Sequence, residues 1–132
     1  MKIQFNQEEL LNILYSALCN GGLIELSNCG VRLMNNSYSE SYTKAKERLK
    51  HSGKTNICYE DVLIEILSYG GKLDFYESES DCRVSFDLDQ ARENLSNEQF
   101  ADDMLSTHNG EDDAWTGFNL LQGALFGEVI YC

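Results

Sequence analysis

The apolar residues of the stretch 58–86, CYEDVLIEILSYGGKLDFYESESDCRVSF, change their period halfway along it. Over 58–69 they recur every three to four positions, which is the spacing of one face of a helix. After the pair Gly70-Gly71, which favours the end of that helix, they alternate with polar residues. Alternation on both sides of the polar 78–81 predicts a β-hairpin. A helix followed directly by a hairpin indicates the α+β class.

Helical patterns flank this stretch on both sides. An N-terminal helix is predicted to begin after Asn6, which can form a capping box with Glu9, and to end at the glycine pair 21–22. A basic helix is expected over 39–50, and a last helix is expected from Trp115 to the end of the chain. The apolar positions of this last helix are Trp115, Phe118, Leu121, Leu125 and Val129.

Shorter elements are expected between these helices. Residues 23–26 and 31–34 are extended candidates on either side of a turn-like 27–30, and they predict a second, small hairpin. Two further capping-box spacings each predict a short helix directly after them. The residues with this spacing are Asp87 with Gln90 and Ser96 with Gln99.

The whole chain, residues 1–132, is predicted to form a single α+β domain. Its length is close to the commonest size of one domain, and 42% hydrophobic residues are more than a disordered acidic tail contains. It contains no proline and no segment with the composition of a linker. We expect the hairpin to pack against the N-terminal and C-terminal helices, which share one core.

Negative charge is concentrated in the second half of the chain. The net charge is −12, and residues 71–132 hold 14 of the 22 acidic side chains against 3 of the 10 basic ones. The electrostatic field of this negative charge repels nucleic acid, anionic lipid and acidic substrates, and it attracts a basic protein surface. We therefore expect a basic protein as the partner, with no direct binding of nucleic acid or membrane.

The cysteines and the N-terminal residues bear on the cellular compartment. The five cysteines are scattered and include no C-x-x-C pair, so neither a disulfide framework nor a zinc site is predicted. No apolar run approaches the length of a membrane span, and residues 1–6 lack the apolar stretch of a secretion signal. These features predict a soluble protein with reduced thiols in the cytoplasm of the host cell.

Four segments of the chain resemble a group of small acidic proteins that occur in phages and mobile elements of gut bacteria. They are 20–22 (NGG), 58–67 (CYEDVLIEIL), 70–73 (GGKL) and 120–131 (LLQGALFGEVIY). The resemblance implies a small accessory protein that interferes with a host system. It implies no catalytic residue, because the matching positions are mainly core and turn residues.

No catalytic or metal motif with an informative spacing occurs in the sequence. Cys58 lies at a predicted helix start, where the helix dipole lowers a thiol pKa, and His51 and His108 are its possible imidazole partners. A small apolar residue at a helix start is the simpler interpretation of Cys58. The acidic stretch 102–113 offers oxygen ligands, but its spacing fits no calcium loop. We therefore predict a protein without catalytic residues, metal site or cofactor.

The carboxylates of the second half are the candidate partner-binding site. Duplex DNA presents one negative charge about every 1.7 Å of its axis, so a folded surface of closely spaced carboxylates can occupy a groove that binds phosphates. The predicted function is a non-enzymatic inhibitor, of phage or mobile-element origin, that blocks a basic host protein of nucleic-acid handling or defence. An acidic surface that only maintains solubility is the competing interpretation. The predicted contact residues are Asp74, Glu77, Glu79, Asp81, Asp102, Asp103, Glu111, Asp112 and Asp113.

A second hypothesis is a sponge that sequesters a nucleotide signal as a homo-oligomer. The cations of the basic helix would hold phosphate, and aromatic rings would stack on the base. The residues in question are Lys44, Lys46, Arg48 and Lys50 for phosphate, and Tyr42, Tyr76 or Trp115 for the base. A solvated helix face is the simpler interpretation of the basic cluster. A housekeeping regulator whose acidic surface has no role is a third alternative.

Overall fold

The computed structural model describes residues 4–132. Residues 1–3, which belong to the segment expected to lack a secretion signal, lie outside the described residues. The predicted α+β class is confirmed, with about 59% helix and 10% strand. In chain order the elements are α1 (Gln7–Ala17), a π-helical turn (Leu18–Gly22), α2 (Leu23–Asn28), β1 (Val31–Leu33), α3 (Glu40–His51), α4 (Tyr59–Ser68), β2 (Leu73–Glu77), β3 (Cys82–Phe86), α5 (Leu88–Leu95), a 3₁₀ turn (Glu98–Phe100), α6 (Ala101–His108) and α7 (Ala114–Phe126).

The three strands form one antiparallel sheet in the order β1-β2-β3. The predicted hairpin consists of β2 and β3, in which Phe75 pairs with Val84. β1 lies on the other side of β2, where Leu33 pairs with Phe75. Phe75 and Phe86 are fully buried, so one face of the sheet covers the helical core.

The small hairpin predicted over 23–26 and 31–34 is wrong, because its first half is helical. Leu23–Asn28 is α2, and β1 pairs with the distant β2 instead. The helix buries Leu26 and leaves Ile24 65% exposed. A run of four apolar residues has the same appearance in a short helix and in a short strand, so the sequence pattern did not distinguish them.

The glycine pair at 21–22 bends the first helix instead of ending it. Gly21 has a φ of +92°, a left-handed conformation that glycine adopts without a steric penalty, and helix resumes directly beyond it as α2. The bend is held from outside, because an added Cβ on Gly22 would lie 2.7 Å from a methyl carbon of Leu121 on α7. The predicted stop is therefore a change of direction.

The helical stretch Gln7–Asn28 is 22 residues long and, by length and composition alone, apolar enough to cross a membrane. This differs from the expectation that no run approaches that length. The core helix of a folded domain has the same length and composition. Leu10, Leu14 and Ala17 of α1 are buried in the core of this fold.

The last helix, α7, is the central element of the core, as predicted. A Cβ on its Gly117 would lie 2.9 Å from the carbonyl oxygen of Ala17, so α1 and α7 cross in backbone contact. The helix is shorter than predicted, because it ends at Phe126 before Gly127, whose φ is +76°. Val129 therefore lies outside the helix and is 37% exposed.

A buried glutamine fixes the segment that follows α7. The side chain of Gln122 is fully buried, and its Oε1 accepts the backbone N–H groups of Ile130 at 2.8 Å and Tyr131 at 2.7 Å. Its Nε2 donates to the carbonyl oxygen of Tyr131 at 3.2 Å. The C-terminal segment is thus folded back along α7.

Local caps start the helices near the predicted positions, with one shift. Asn6 and Glu9 form the capping box of α1, with bonds of 2.8 and 2.9 Å. Asp87 caps α5 as predicted. The 3₁₀ turn before α6, however, is capped by Asn97, because Ser96 is the C-cap of α5. The basic helix is confirmed as α3.

Candidate functional site

The nine predicted contact residues lie in two groups. The hairpin group is on β2 and in the turn that follows it, and it consists of Asp74, Glu77, Glu79 and Asp81. The loop group is on α6 and in the loop before α7, and it consists of Asp102, Asp103, Glu111, Asp112 and Asp113.

The hairpin group does not share one face of the sheet. Because side chains alternate along a strand, Asp74 lies on the outer face and Glu77 on the side of the core. Glu77 accepts a hydrogen bond from the hydroxyl of Tyr131 at 2.8 Å. Burial, together with this bond, raises the pKa of Tyr131 to about 12. Asp81 accepts a bond from the hydroxyl of Tyr76, so two of the four carboxylates are hydrogen-bonded within the fold.

Two members of the loop group organise the start of α7. Asp113 is its N-cap and accepts the N–H of Thr116 at 2.9 Å, a bond that lowers the pKa of Asp113. Asp112 accepts a hydrogen bond from the side-chain amide of Asn20, which lies in the turn between α1 and α2. These contacts join the loop to the bend of the first helix.

Asp103 lies half-buried between α6 and α7. Burial raises its pKa, although Asn119 Nδ2 donates to Asp103 Oδ2 at 3.5 Å. The other amide atom, Asn119 Oδ1, is buried and has no hydrogen-bond partner in residues 4–132. The partly buried position of Asp103 therefore disfavours its ionised form, whereas Asp102 and Glu111 are exposed to solvent.

The two groups lie at different places along α7. Asp113 begins this helix, whereas Tyr131, the partner of Glu77, is bonded through its N–H to Gln122. Positions 113 and 122 are about 13 Å apart along a helix axis. The hairpin group is thus attached, through Tyr131, to the second half of α7, whereas the loop group lies at the start of this helix. Exposed carboxylates on the chain between them are Asp89, Glu93 and Glu98.

Ion pairs with lysine or arginine are confined to the first half of the part of the chain that the structure describes. They are Lys44 with Glu40, Arg48 with Glu65, and Lys54 with Asp61. Within residues 71–132, no carboxylate oxygen lies within 4.0 Å of a lysine or arginine nitrogen of the described chain. The negative charge of the second half is thus not neutralised by close basic neighbours.

The basic helix α3 uses two of its cations internally. Lys44 lies 2.8 Å from Glu40, and Arg48 lies 3.3 Å from Glu65. The guanidinium of Arg48 also lies 4.1 Å from the ring centre of Tyr69, in a cation–π contact. A shallow depression of about 360 Å³ is bordered by Glu40, Lys44, Arg48 and Tyr69. Because both cations are paired, their attraction for a phosphate is reduced.

The three candidate aromatic residues of the nucleotide hypothesis lie on three different elements. Tyr42 is on α3, but it is only 8% exposed. Tyr76 lies on β2, and Trp115 lies on α7 with 51% of its surface exposed. The one candidate ring that shares an element with the basic cluster is therefore buried and offers little surface for stacking on a base.

Cys58 lies beside a tyrosine instead of a histidine. The hydroxyl of Tyr15 is 3.6 Å from the sulfur of Cys58, and Cys19 lies close to the same hydroxyl. Burial raises the pKa of Cys19, and the charges of Glu60 and Asp61 add to the shift. In residues 4–132 neither histidine hydrogen-bonds a cysteine. The described residues therefore assemble no thiolate–imidazole pair. The contact between Cys58 and Tyr15 was missed because the two positions are 43 residues apart in the sequence.

A cavity of about 510 Å³ lies where the start of α1 meets α5 and α6. Phe5, Leu10 and Met104 are among its lining residues, and Arg92 donates to the carbonyl oxygen of Phe5 at 2.9 Å. Nothing in the sequence pattern indicates this cavity, since its walls come from distant segments.

Across residues 4–132, no three potential metal ligands come together.

Comparison with known proteins identifies no relative. No match to the chain is found among protein-family models, curated proteins or solved structures.

Proposed function

We propose that this protein is a non-enzymatic binding protein of phage or mobile-element origin. Its acidic half occupies a basic surface of a host protein that handles nucleic acid or acts in defence, and so blocks that surface. The observation that supports the proposal is the lack of lysine or arginine partners for the carboxylates of residues 71–132 in the described chain. A charge that is not already paired inside the protein remains available to a partner.

The exposed carboxylates without an internal hydrogen bond in the described chain are the proposed primary contacts. These are Glu79 of the hairpin group, and Asp102 and Glu111 of the loop group. Glu77, Asp112 and Asp113 contribute charge while they hold the fold together. Such a surface associates rapidly with a basic partner and loses affinity as salt increases.

The proposal is tested with charge reversal in two matched double variants. Asp102→Lys with Glu111→Lys alters the loop group, and Glu8→Lys with Glu47→Lys alters exposed residues of the first half by the same net charge. Glu8 and Asp102 both lie in the first turn of a helix, so the effect on the helix dipole is similar. Each protein is titrated against purified host nucleases with basic DNA-binding grooves, at two salt concentrations and with competing duplex DNA.

We expect the wild-type protein and the first-half variant to bind, to be displaced by duplex DNA and to weaken with salt. The loop-group variant is expected to bind less tightly at both salt concentrations. An affinity that does not change with salt concentration, or an equal affinity of the two double variants, would contradict the proposal.

The nucleotide sponge has less support from the geometry, since Lys44 and Arg48 are paired and the aromatic rings are distributed. The depression between α3 and α4 is the place where it would operate. A thermal-shift screen with nucleotides distinguishes the two ideas, because a ligand that binds only the folded protein raises the melting temperature.

A further inference from the structure

We infer that the outer edge of β3 receives an extended segment of the basic partner as a fourth strand of the sheet. The inference rests on the proposed function, because it identifies the element through which the acidic protein holds its partner. Strand addition supplies affinity through main-chain hydrogen bonds, and pockets for alternate side chains supply specificity.

The register shows which backbone groups of β3 point outward. Met34 donates its N–H to the carbonyl oxygen of Asp74, and Ser78 donates to Gly30, so Asp74 and every second residue from it face β1. Phe75 and Glu77 therefore face β3 and bond to their partners, Val84 and Cys82. The intervening residues of β3, Arg83 and Ser85, direct their N–H and C=O groups away from the sheet.

This edge is accessible, unlike the opposite edge of the sheet. Cys82 and Arg83 are exposed, and Val84 and Ser85 are half-buried. The opposite edge belongs to β1, which has three residues and begins at Val31, only 1% exposed. β3 offers five residues in unbroken register for pairing.

The usual protections of an exposed strand edge are weak at β3. Natural edges are commonly blunted by proline, by a bulge or by lysine. Residues 82–86 contain neither proline nor lysine, and each pairs with one residue of β2 without a bulge. Its single charged residue is Arg83. An edge left open in this way is suited to pairing with another chain.

Carboxylates at both ends of β3 determine the chemistry of the occupant. Glu79 and Asp81 lie at the turn before the strand, and Asp87 and Asp89 lie directly after it. Positions 81 and 87 are about 20 Å apart in an extended chain. The matching segment has a basic side chain near each end, about six residues apart, and uncharged residues in the middle, where Arg83 repels a cation.

A second copy of the chain fits this edge poorly. Antiparallel pairing of two β3 strands about Val84 would place Asp81 of each copy beside Asp87 of the other. Four carboxylates would then meet in two like-charged pairs, and two molecules of net charge −12 would be brought together. The occupant is therefore a basic peptide segment, and self-association is an outcome that the experiment must distinguish.

The test uses two peptides of equal charge with the full-length protein. The first is acetyl-Lys-Thr-Val-Thr-Val-Thr-Lys-amide, and in the second each threonine is replaced by proline, which removes the backbone donor at those positions. Amide hydrogen exchange at Arg83 and Ser85 is measured by NMR with each peptide. A Ser85→Pro variant removes one outward donor without removing a bond to β2, and circular dichroism checks that it folds.

We expect the threonine peptide to slow exchange at the amides of Arg83 and Ser85, and the proline peptide to leave them unchanged. In Ser85→Pro the threonine peptide is expected to bind about tenfold more weakly. If this variant does not fold, the hydrogen-exchange measurement on the wild-type protein still shows whether the peptide pairs with β3.

Three outcomes would overturn strand addition. The first is equal, salt-dependent binding of both peptides without protection of these amides, which would leave the acidic-surface function intact. The second is the absence of protection with either peptide, in which case the nuclease titrations decide separately whether the proposed function stands. The third is protection that rises with protein concentration and needs no peptide, which would assign the edge to a second copy.

Discussion

Replacing Asp103 with asparagine is expected to give a more stable fold at neutral pH than the same replacement at its exposed neighbour Asp102. The carboxylate is half-buried beside Asn119, and burial raises its pKa, so its ionised form is disfavoured in the folded state. The substituted amide has the same shape, no charge, and an N–H₂ group that can donate to Asn119 Oδ1. That oxygen is buried without a partner in the described chain. The change removes one unfavourable charge and satisfies one acceptor.

The size of the effect follows from the unsatisfied acceptor. Leaving a buried polar atom without a partner costs about 1–3 kcal/mol, and we take the lower end because Asp103 is partly exposed to solvent. Relative to the Asp102→Asn variant, a gain of about 1 kcal/mol corresponds to a melting temperature about 4 °C higher for a domain of this size. The free energy of unfolding is measured by urea titration, and the melting temperature by calorimetry.

The pH dependence has a definite sign. A carboxyl whose folded-state pKa is raised opposes folding when it is ionised, and this penalty disappears as pH falls through the raised pKa. Below that pKa the protonated Asp103 can itself donate to Asn119 Oδ1. The advantage of Asp103→Asn is therefore expected to be full at pH 7 and to vanish as the pH approaches the ordinary aspartate range, about pH 4.

Asp102→Asn is the matched control, because Asp102 is the neighbouring residue in the first turn of α6 and is exposed. Both variants lose the same charge near the helix N-terminus, which costs about 0.3–1 kcal/mol in each. The comparison between them isolates the contact with Asn119. If Asp103→Asn is no more stable than Asp102→Asn at pH 7, or if their difference is the same at pH 4, the reasoning is refuted.

Three further changes test the packing and the caps. Gly117→Ala places a Cβ 2.9 Å from the carbonyl oxygen of Ala17, and overpacking against backbone is expected to cost about 1–3 kcal/mol in urea titration; an unchanged midpoint would show that α1 and α7 do not cross this closely. Gln122→Leu removes the bonds to the segment after α7, so the amides of Ile130 and Tyr131 are expected to exchange rapidly by NMR, and retained protection would disprove the anchoring role. Asn6→Ala removes the capping box of α1 and is expected to cost about 1 kcal/mol, and a loss below about 0.3 kcal/mol would contradict the capping assignment.

Local patterns in the sequence were sufficient for the elements whose hydrogen bonds close within a few residues. The capping box of Asn6 and Glu9 and the cap at Asp87 join atoms three residues apart, so the residues that make the bond stand together in the chain. The alternation over 73–86 likewise defined β2 and β3, because the turn between them is short. The charge asymmetry is a property of composition and needs no structure.

Where two local patterns compete, the sequence was insufficient. The pattern of the four residues 23–26 is compatible with both a helix and a strand. The helix α2 is the one that buries Leu26 in the core. Gly21 and Gly22 are the residues of a helix stop, yet contact of Gly22 with Leu121 of α7 made them a bend. Asn97 took the capping role expected of Ser96, because Ser96 still belongs to the end of α5.

The amino-acid pattern alone was enough to predict the α+β class, the position of most helix starts, the β2–β3 hairpin and the surplus of negative charge in residues 71–132. The pairing of β1 with this hairpin, the contact of Cys58 with Tyr15, and the bonds of Glu77 to Tyr131 and of Asp112 to Asn20 became visible in the folded structure alone. These two sets of features differ in how far apart in the sequence the interacting residues lie. Caps and periodicity depend on residues within one or two turns of each other, whereas the meeting of distant segments depends on which apolar surfaces bury one another around α7, and no short window of sequence contains both surfaces.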